Sequence, residues 1–239
     1  MALILSLETS SRRCSVALHE NGKLLGRAEV AGENVHSSLL TSLIADLMKR
    51  TGYVLADLEA VAVGKGPGSY TGLRIGVATA KGLCYALDKP LLAVNTLLAM
   101  AWQVQRYRPE ADTLLCPLLD ARRMEVYAAV FTGGLVEVQP TQALILEADV
   151  FTEQLATTKM LFFGDGAAKL QPLLAHQPSA LFLNEVFPAA EAVGALATER
   201  FGQGAFEDVA YFEPFYLKEF YAGPKSGGSA AKPELLPEK

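Results

Sequence analysis

With 239 residues, 51% hydrophobic and 20% charged, the chain can fill one large domain or two of about 100 residues each, which excludes a disordered polypeptide. A net charge of −5, a pI near 5.3 and no basic run make the chain alone a poor nucleic-acid binder, because phosphate neutralisation supplies most nonspecific affinity. No stretch reaches the roughly 18 apolar residues of a membrane helix, and residues 1–8 lack the basic start of a signal peptide, so a cytoplasmic location is expected. Cys14, Cys84 and Cys116 are far apart and form no C-x-x-C pair, so they read as buried small apolar residues in a reducing compartment.

Along the chain, the first thirty residues read as a meander of three strands. Residues 3–7 and 14–18 are apolar runs. Asn21-Gly22 then turns into 24–30, a hairpin signal because both central residues need positive φ. A helix follows over 35–50. Its Leu39, Leu40, Leu43, Ile44, Leu47 and Met48 recur at i, i+4 and i+8 in two adjacent rows, one wide apolar stripe. Lys49 and Arg50 suit its C-terminal end, and Gly52 its termination. Residues 58–63 read as a buried strand. A second helix spans 71–87 and ends at Asp88-Lys89-Pro90, a short strand covers 91–94, and Asn95 or Thr96 caps a helix to about residue 107.

Arg108-Pro109-Glu110 reads as a boundary, after which the pattern restarts. Strands are expected at 114–119 and 124–131, with Gly133-Gly134 turning into 135–138. A helical pattern at 148–156, a strand at 160–163, a Gly164-Asp165-Gly166 turn and helices at 167–175 and 189–201 follow. Residues 212–217 form an extended exit, and the tail 222–239, rich in Gly, Pro, Ser, Lys and Glu, reads as disordered. This divides the chain into a first lobe 1–108, a second, degenerate lobe 109–221 with the exit segment, and the tail. A meander feeding alternating helices and strands, twice, is the layout of the α/β actin-like (ASKHA, ribonuclease H-like) duplicated fold, two βββαβα lobes with mixed sheets. Such proteins bind nucleotide between their halves.

Residues 64–76 place five glycines in thirteen positions between a strand and a helix. Strand, glycine-rich turn and helix start make an anion cradle or a seat for close helix packing. Lys65 precedes the last glycines and no Gly-Lys-Ser/Thr follows, so this is not a phosphate-binding P-loop; no acidic ribose ligand supports a dinucleotide site. Gly72, Gly76 and Ala80 form one small-residue ridge, and Ala78, Gly82 and Ala86 a second. Each mid-helix glycine costs about 1 kcal/mol against alanine, which implies a very close neighbour. Packing is the favoured reading, and ligand binding stays open.

Glu8-Thr9-Ser10 stands where actin-like ATPases place Asp-x-Gly-Thr for metal-bound water and phosphate. The glutamate and the missing glycine depart from that pattern, leaving Glu8, Thr9 and Ser10 as weak cofactor-binding candidates beside a capped strand end. His19, His36 and His176 are too dispersed for the two or three convergent ligands of a metal site. No serine sits in a G-x-S-x-G elbow. Asp120, Arg122, Arg123 and Glu125 read by default as a solvated strand–turn–strand.

These residues also form an arrangement that resembles the TsaB (YeaZ) family. Gly66-Pro67-Gly68-Ser69-Tyr70-Thr71-Gly72-Leu73-Arg74-Ile75-Gly76 is close to that family's G-P-G-S-F/Y-T-G-x-R-I-G. Asp120-Ala121-Arg122-Arg123-Met124-Glu125-Val126-Tyr127 is close to its D-A-R-x-x-E-V-Y. Gly164-Asp165-Gly166 follows a strand, and Pro214-Phe215-Tyr216-Leu217-Lys218 is near its P-x-Y-L-R, with Lys218 in place of the arginine. The resemblance covers about residues 1–220. It implies an actin-like fold and a noncatalytic subunit of the bacterial system that makes threonylcarbamoyladenosine in tRNA, at the adenosine next to the anticodon. It implies pairing with a catalytic, TsaD-like paralogue that carries a paired-histidine metal site, and work alongside a TsaE-like ATPase. tRNA would be met only through the complex, ATP or ADP would enter at the level of the complex, and the chain alone would self-associate as a homodimer. Pairing through the first-lobe helices makes His36, Leu39, Leu43, Leu47, Gly72, Gly76 and Ala80 the candidate partner interface. No catalytic or metal residue is carried over. The competing readings are an actin-like ATPase or kinase, and a glycoprotease-like peptidase.

Overall fold

The structure, a computed structural model, describes residues 2–32, 35–107, 112–147 and 149–218. The tail 222–239 and the boundary residues 108–110 lie outside the described residues. Three strands open the fold: β1 (Leu3–Glu8), β2 (Arg13–Glu20) and β3 (Lys23–Ala31), paired antiparallel. Asn21 and Gly22 turn β2 into β3 with φ of 49° and 81°, as the hairpin signal requires. Next come α1 (Val35–Thr51), β4 (Ala60–Gly66), α2 (Tyr70–Leu87), β5 (Leu91–Asn95) and α3 (Thr96–Gln105). Asn95 caps α3, its side-chain oxygen accepting from Leu97 N at 2.8 Å and Leu98 N at 3.1 Å.

The second half supplies β6 (Leu114–Asp120), β7 (Glu125–Phe131), β8 (Glu137–Ile145), α4 (Thr152–Thr157), β9 (Met160–Phe163), α5 (Ala167–Leu174), β10 (Ala180–Leu183) and α6 (Ala190–Gly202). The two five-stranded sheets run β3-β2-β1-β4-β5 and β10-β9-β6-β7-β8, the same order counted from each half's first strand. The meander pairs are antiparallel, and β1–β4, β4–β5, β6–β9 and β9–β10 are parallel. This is the duplicated actin-like fold.

Three expectations need correction. The strand expected at 135–138 is β8, displaced towards and extended to Ile145; as an edge strand it carries polar residues and Pro140, which mask its pattern. The helix expected over 148–156 is short, Thr152–Thr157. β10 was not anticipated, because four residues of alternating burial at a sheet edge carry little signal. With it, the second half repeats the βββαβαβα order of the first.

The lobes also exchange their last helices. α1 and α2 cover one face of the first sheet, burying Leu40, Ile44, Leu47, Val77 and Ala80 against Leu5, Leu7, Val16 and Val63. The other face is covered by α6, whose Ala192, Val193 and Ala197 meet Ile4, Ala60, Ala62 and Leu92. α3 packs on the second sheet, with Leu97, Met100 and Val104 against Leu115, Leu119, Phe131 and Phe163. A division near residue 108 therefore separates the repeats but not the packing: α6 completes the first lobe and α3 the second. α4 and α5 close the outer face of the second sheet with Leu155, Leu170 and Leu174. β1 is buried along its whole length because both of its faces meet helices. The three cysteines are free and buried, and burial pushes the Cys14 and Cys84 thiols up to about 11.

Candidate functional site

The glycine segment launches α2 directly onto the end of β1. Ser69 N donates to the Ser10 carbonyl at 2.7 Å, and Thr9 Oγ1 donates to the Gly72 carbonyl at 2.8 Å. A Cβ at Gly72 would overlap the Thr9 carbonyl, and one at Gly76 would overlap Thr9 Oγ1. At Gly68 it would stand 2.6 Å from Ser10 Cβ. The glycines thus let the helix sit on residues 8–10 at a distance no side chain allows. Three amides of the loop and first turn have internal acceptors: Ser69 N donates to the Ser10 carbonyl, Gly72 N to Ser69 Oγ at 3.4 Å, and Leu73 N to the Ser69 carbonyl at 2.9 Å.

Glu8, Thr9 and Ser10 are consequently sealed, with 0%, 0% and 3% exposure. Glu8 Oε1 accepts from Ser10 N at 2.7 Å, while Oε2 lies against Gly64 with no hydrogen-bond partner among the described residues. Burial raises the Glu8 carboxyl above the usual carboxylate range, with the Ser10 hydrogen bonds acting the other way. All three residues lie covered by α2. Elsewhere, a polar hollow of about 310 Å³ is lined by Arg13, Arg27, Glu29, Gln103, Glu185, Phe187 and Ala189. Its arginines already have carboxylate partners, Arg13 with Glu29 at 2.5 Å and Arg27 with Glu191, and Arg13 stacks on Phe187 at 3.9 Å.

The residues expected at a partner interface divide by burial. Gly72, Gly76 and Ala80 face the lobe's own core, as does Leu47. His36 is buried too, with Nε2 3.2 Å from the Arg13 carbonyl. These five point into the chain itself; helix periodicity defines a ridge without saying which way it turns. Leu39 is exposed and Leu43 half-buried on α1. On α2 the outward ridge is the second one: Ala78, Gly82 and Ala86 are exposed beside Tyr85, and a Cβ at Gly82 meets nothing within 4 Å.

The other three sequence motifs also meet in space. Asp165, in the Gly164-Asp165-Gly166 turn, accepts from Asp120 N at 2.9 Å and so anchors the β6–β7 hairpin. Burial raises the Asp165 carboxyl above its usual range. Lys169 holds Asp120 Oδ1 at 2.8 Å and the Glu125 carbonyl at 3.1 Å. The exit segment then straps the lobes together. Phe215 N donates to the Lys65 carbonyl at 2.7 Å, the Tyr216 ring lies on Tyr70 with centroids 4.8 Å apart, and Lys218 reaches the Ala121 carbonyl at 3.2 Å and pairs with Glu125. Lys81 braces the strap by donating to the Ala210 and Phe212 carbonyls at 3.2 and 2.9 Å. No local pattern in the sequence announces the strap's contacts, because each joins residues more than ninety positions apart.

Among the described residues, no three of His, Cys, Asp and Glu converge as metal ligands, and no helix is long and apolar enough to cross a membrane. The family model described as "TsaD: tRNA N6-adenosine threonylcarbamoyltransferase" matches residues 29–212. The tRNA threonylcarbamoyladenosine biosynthesis protein TsaB of Escherichia coli is 31% identical over 233 residues, covering 94% of this chain and 98% of that protein. The structure of YeaZ from Pseudomonas aeruginosa superimposes with a TM-score of 0.74 at 27% identity, over 91% of this chain and all of that one. Component A of the (R)-2-hydroxyglutaryl-CoA dehydratase of Acidaminococcus fermentans, 8% identical over 86% of this chain and all of that one, with a TM-score of 0.50, shares the fold alone. With a near full-length relative above 30% identity and the motifs of residues 66–76, 120–127 and 214–218 in one strapped body, the chain belongs to the TsaB (YeaZ) family.

Proposed function

We propose that the chain is a noncatalytic subunit in the threonylcarbamoyladenosine modification of tRNA, acting by docking a TsaD-like catalytic paralogue. The relatives' names support the pathway. The observation that carries the subunit role is the inversion at β1: Glu8, Thr9 and Ser10, where an actin-like ATPase would meet metal and phosphate, are sealed under α2. That leaves α2 with an outward face of Ala78, Gly82, Tyr85 and Ala86, next to α1 with Leu39 and Leu43. Small residues on an exposed helix allow a second helix to approach closely, and the exposed tyrosine and leucine supply anchors. In this reading the paralogue's helices occupy that face, a second copy of the chain fills it when the paralogue is absent, and a TsaE-like ATPase and the tRNA join the complex.

The test is reconstitution. Mixing the full chain with the paralogue should give a stoichiometric complex by size-exclusion with light scattering, and deletion should abolish the tRNA modification. Absence of a complex together with unchanged modification would refute the role. ATP hydrolysis by the isolated chain, lost on Glu8→Ala, would instead establish the ATPase reading.

A further inference from the structure

The hairpin at 120–125 and the exit at 214–218 are left without work by the docking face, and the structure brings them into one band. Arg122 and Arg123 stand exposed at the β6–β7 turn, both with positive φ, 72° and 49°, a conformation that favours Asn or Gly. Beside them Lys218 bonds the Ala121 carbonyl, two residues along the strap the Tyr216 ring lies tilted by 34° against Tyr70, and the Arg74 guanidinium lies over the Tyr70 ring at 5.6 Å. Arg74, Arg122 and Arg123 form no ion pair among the described residues. The carboxylates nearby are Glu125, already paired with Lys218, Asp120, already paired with Lys169, Asp165, which accepts from the Asp120 amide, and the exposed Glu213. On a molecule of net charge −5, the band is locally cationic and aromatic, and it crosses from one lobe to the other.

We infer that this band is an RNA-contacting surface that takes an unpaired loop, the arginines meeting phosphates and the Tyr216–Tyr70 pair offering a platform to a splayed base. Cations interleaved with aromatic rings suit single-stranded nucleic acid, because stacking tolerates any base and phosphate contacts need only positive charge. A protein partner would be matched less well, since exposed arginines without facing carboxylates leave the charge uncompensated. The few cations explain why the band would act as an auxiliary contact inside a complex and bind weakly alone. This inference rests on the proposed role in tRNA modification and deepens it by giving this subunit its own contact with the RNA.

The test titrates a fluorescein-labelled anticodon stem-loop RNA, read by anisotropy, against the full chain alone and against its complex with the paralogue. Arg122→Glu with Arg123→Glu, and separately Tyr216→Ala, should each weaken RNA binding by the complex about tenfold or more with paralogue affinity unchanged; the charge reversal should leave the melting temperature unchanged, and Tyr216→Ala should lower it only by the few degrees that losing the Tyr70 contact costs. The charge-reversed protein should also show a salt-dependence slope smaller by about two, which Tyr216→Ala leaves unchanged. Unchanged RNA affinity in both variants would overturn the inference. So would loss of paralogue or ATPase binding with RNA affinity intact, which would make the band a protein contact. Should no paralogue complex form, that result counts against the subunit role alone. The isolated chain then decides the band: weak stem-loop binding lost on charge reversal upholds it, and indifference to charge reversal rejects it.

Discussion

Gly76 and Gly82 lie six residues apart on one helix and should respond in opposite directions to the same substitution. At Gly82 an added Cβ meets nothing within 4 Å, so Gly82→Ala changes only backbone propensity and should stabilise by roughly 0.5–1 kcal/mol. At Gly76 the same propensity gain applies, but the new methyl would overlap Thr9 Oγ1 and stand 3.3 Å from Thr9 Cβ and Cγ2. Overpacking of this kind costs about 1–3 kcal/mol. Moving Thr9 aside also breaks its 2.8 Å hydrogen bond to the Gly72 carbonyl, another 0.5–1.5 kcal/mol or so. Against a gain near 1 kcal/mol, Gly76→Ala should be a net loss of about 0.5–3.5 kcal/mol. For a chain of this length each kcal/mol moves the melting temperature by about 2–4 °C. Paired calorimetric scans should show Gly82→Ala melting slightly above, and Gly76→Ala clearly below, the wild type. If Gly76→Ala stabilises as much as Gly82→Ala, α2 does not sit on Thr9 and the sealed β1 end is wrong.

Other expectations test separate parts of the structure. The folded protein holds the Glu8 proton more tightly than the unfolded chain, whose carboxyl titrates near 4.5, so the stability contribution is complete below that value and lost as pH rises through the folded value. Glu8→Gln keeps the acceptor for Ser10 N and cannot ionise, so its advantage over wild type in urea unfolding should grow from acid to neutral pH; a pH-independent difference would contradict the buried, uncompensated carboxylate. Burial lowers the His19 pKa below 6.5, so that group should destabilise the fold as pH falls below this value, and His19→Gln should flatten the acid limb of the stability profile. Asp165→Ala should cost about 1–3 kcal/mol and speed amide exchange at Asp120, whereas Asp165→Asn, which retains the acceptor oxygen, should cost much less; equal losses would show that the turn does not anchor the hairpin through this bond.

Much of this was legible from residue patterns because the signals were local. Asn21-Gly22, the Asn95 cap, the α1 stripe and the buried runs of β1, β4 and β9 each specify their element within a few residues. The failures share a physical origin as well. β8 and β10 are edge strands whose pairing supplies most of their definition, and the exchange of α3 and α6 between lobes depends on tertiary packing. The site shows the same division. The glycine segment reveals that something lies very close to α2, and only the fold shows that it is Thr9. Two ridges of small residues are visible on that helix, and their period fixes a face without fixing whether it turns inward or outward. Tyr216 on Tyr70 and Phe215 on Lys65 join segments about 150 positions apart, beyond any local pattern.

The most direct test of the docking role is the dissociation constant for the TsaD-like paralogue, measured by titration calorimetry for wild type and Gly82→Leu. Gly82 is exposed and has room around it, so leucine there should raise melting slightly, as alanine does, while filling the space a partner helix needs. The expected result is a complex weakened by about tenfold or more, in line with 1–3 kcal/mol of interfacial overpacking. Wild-type affinity in a folded Gly82→Leu protein would contradict the placement of the partner on the outer face of α1 and α2.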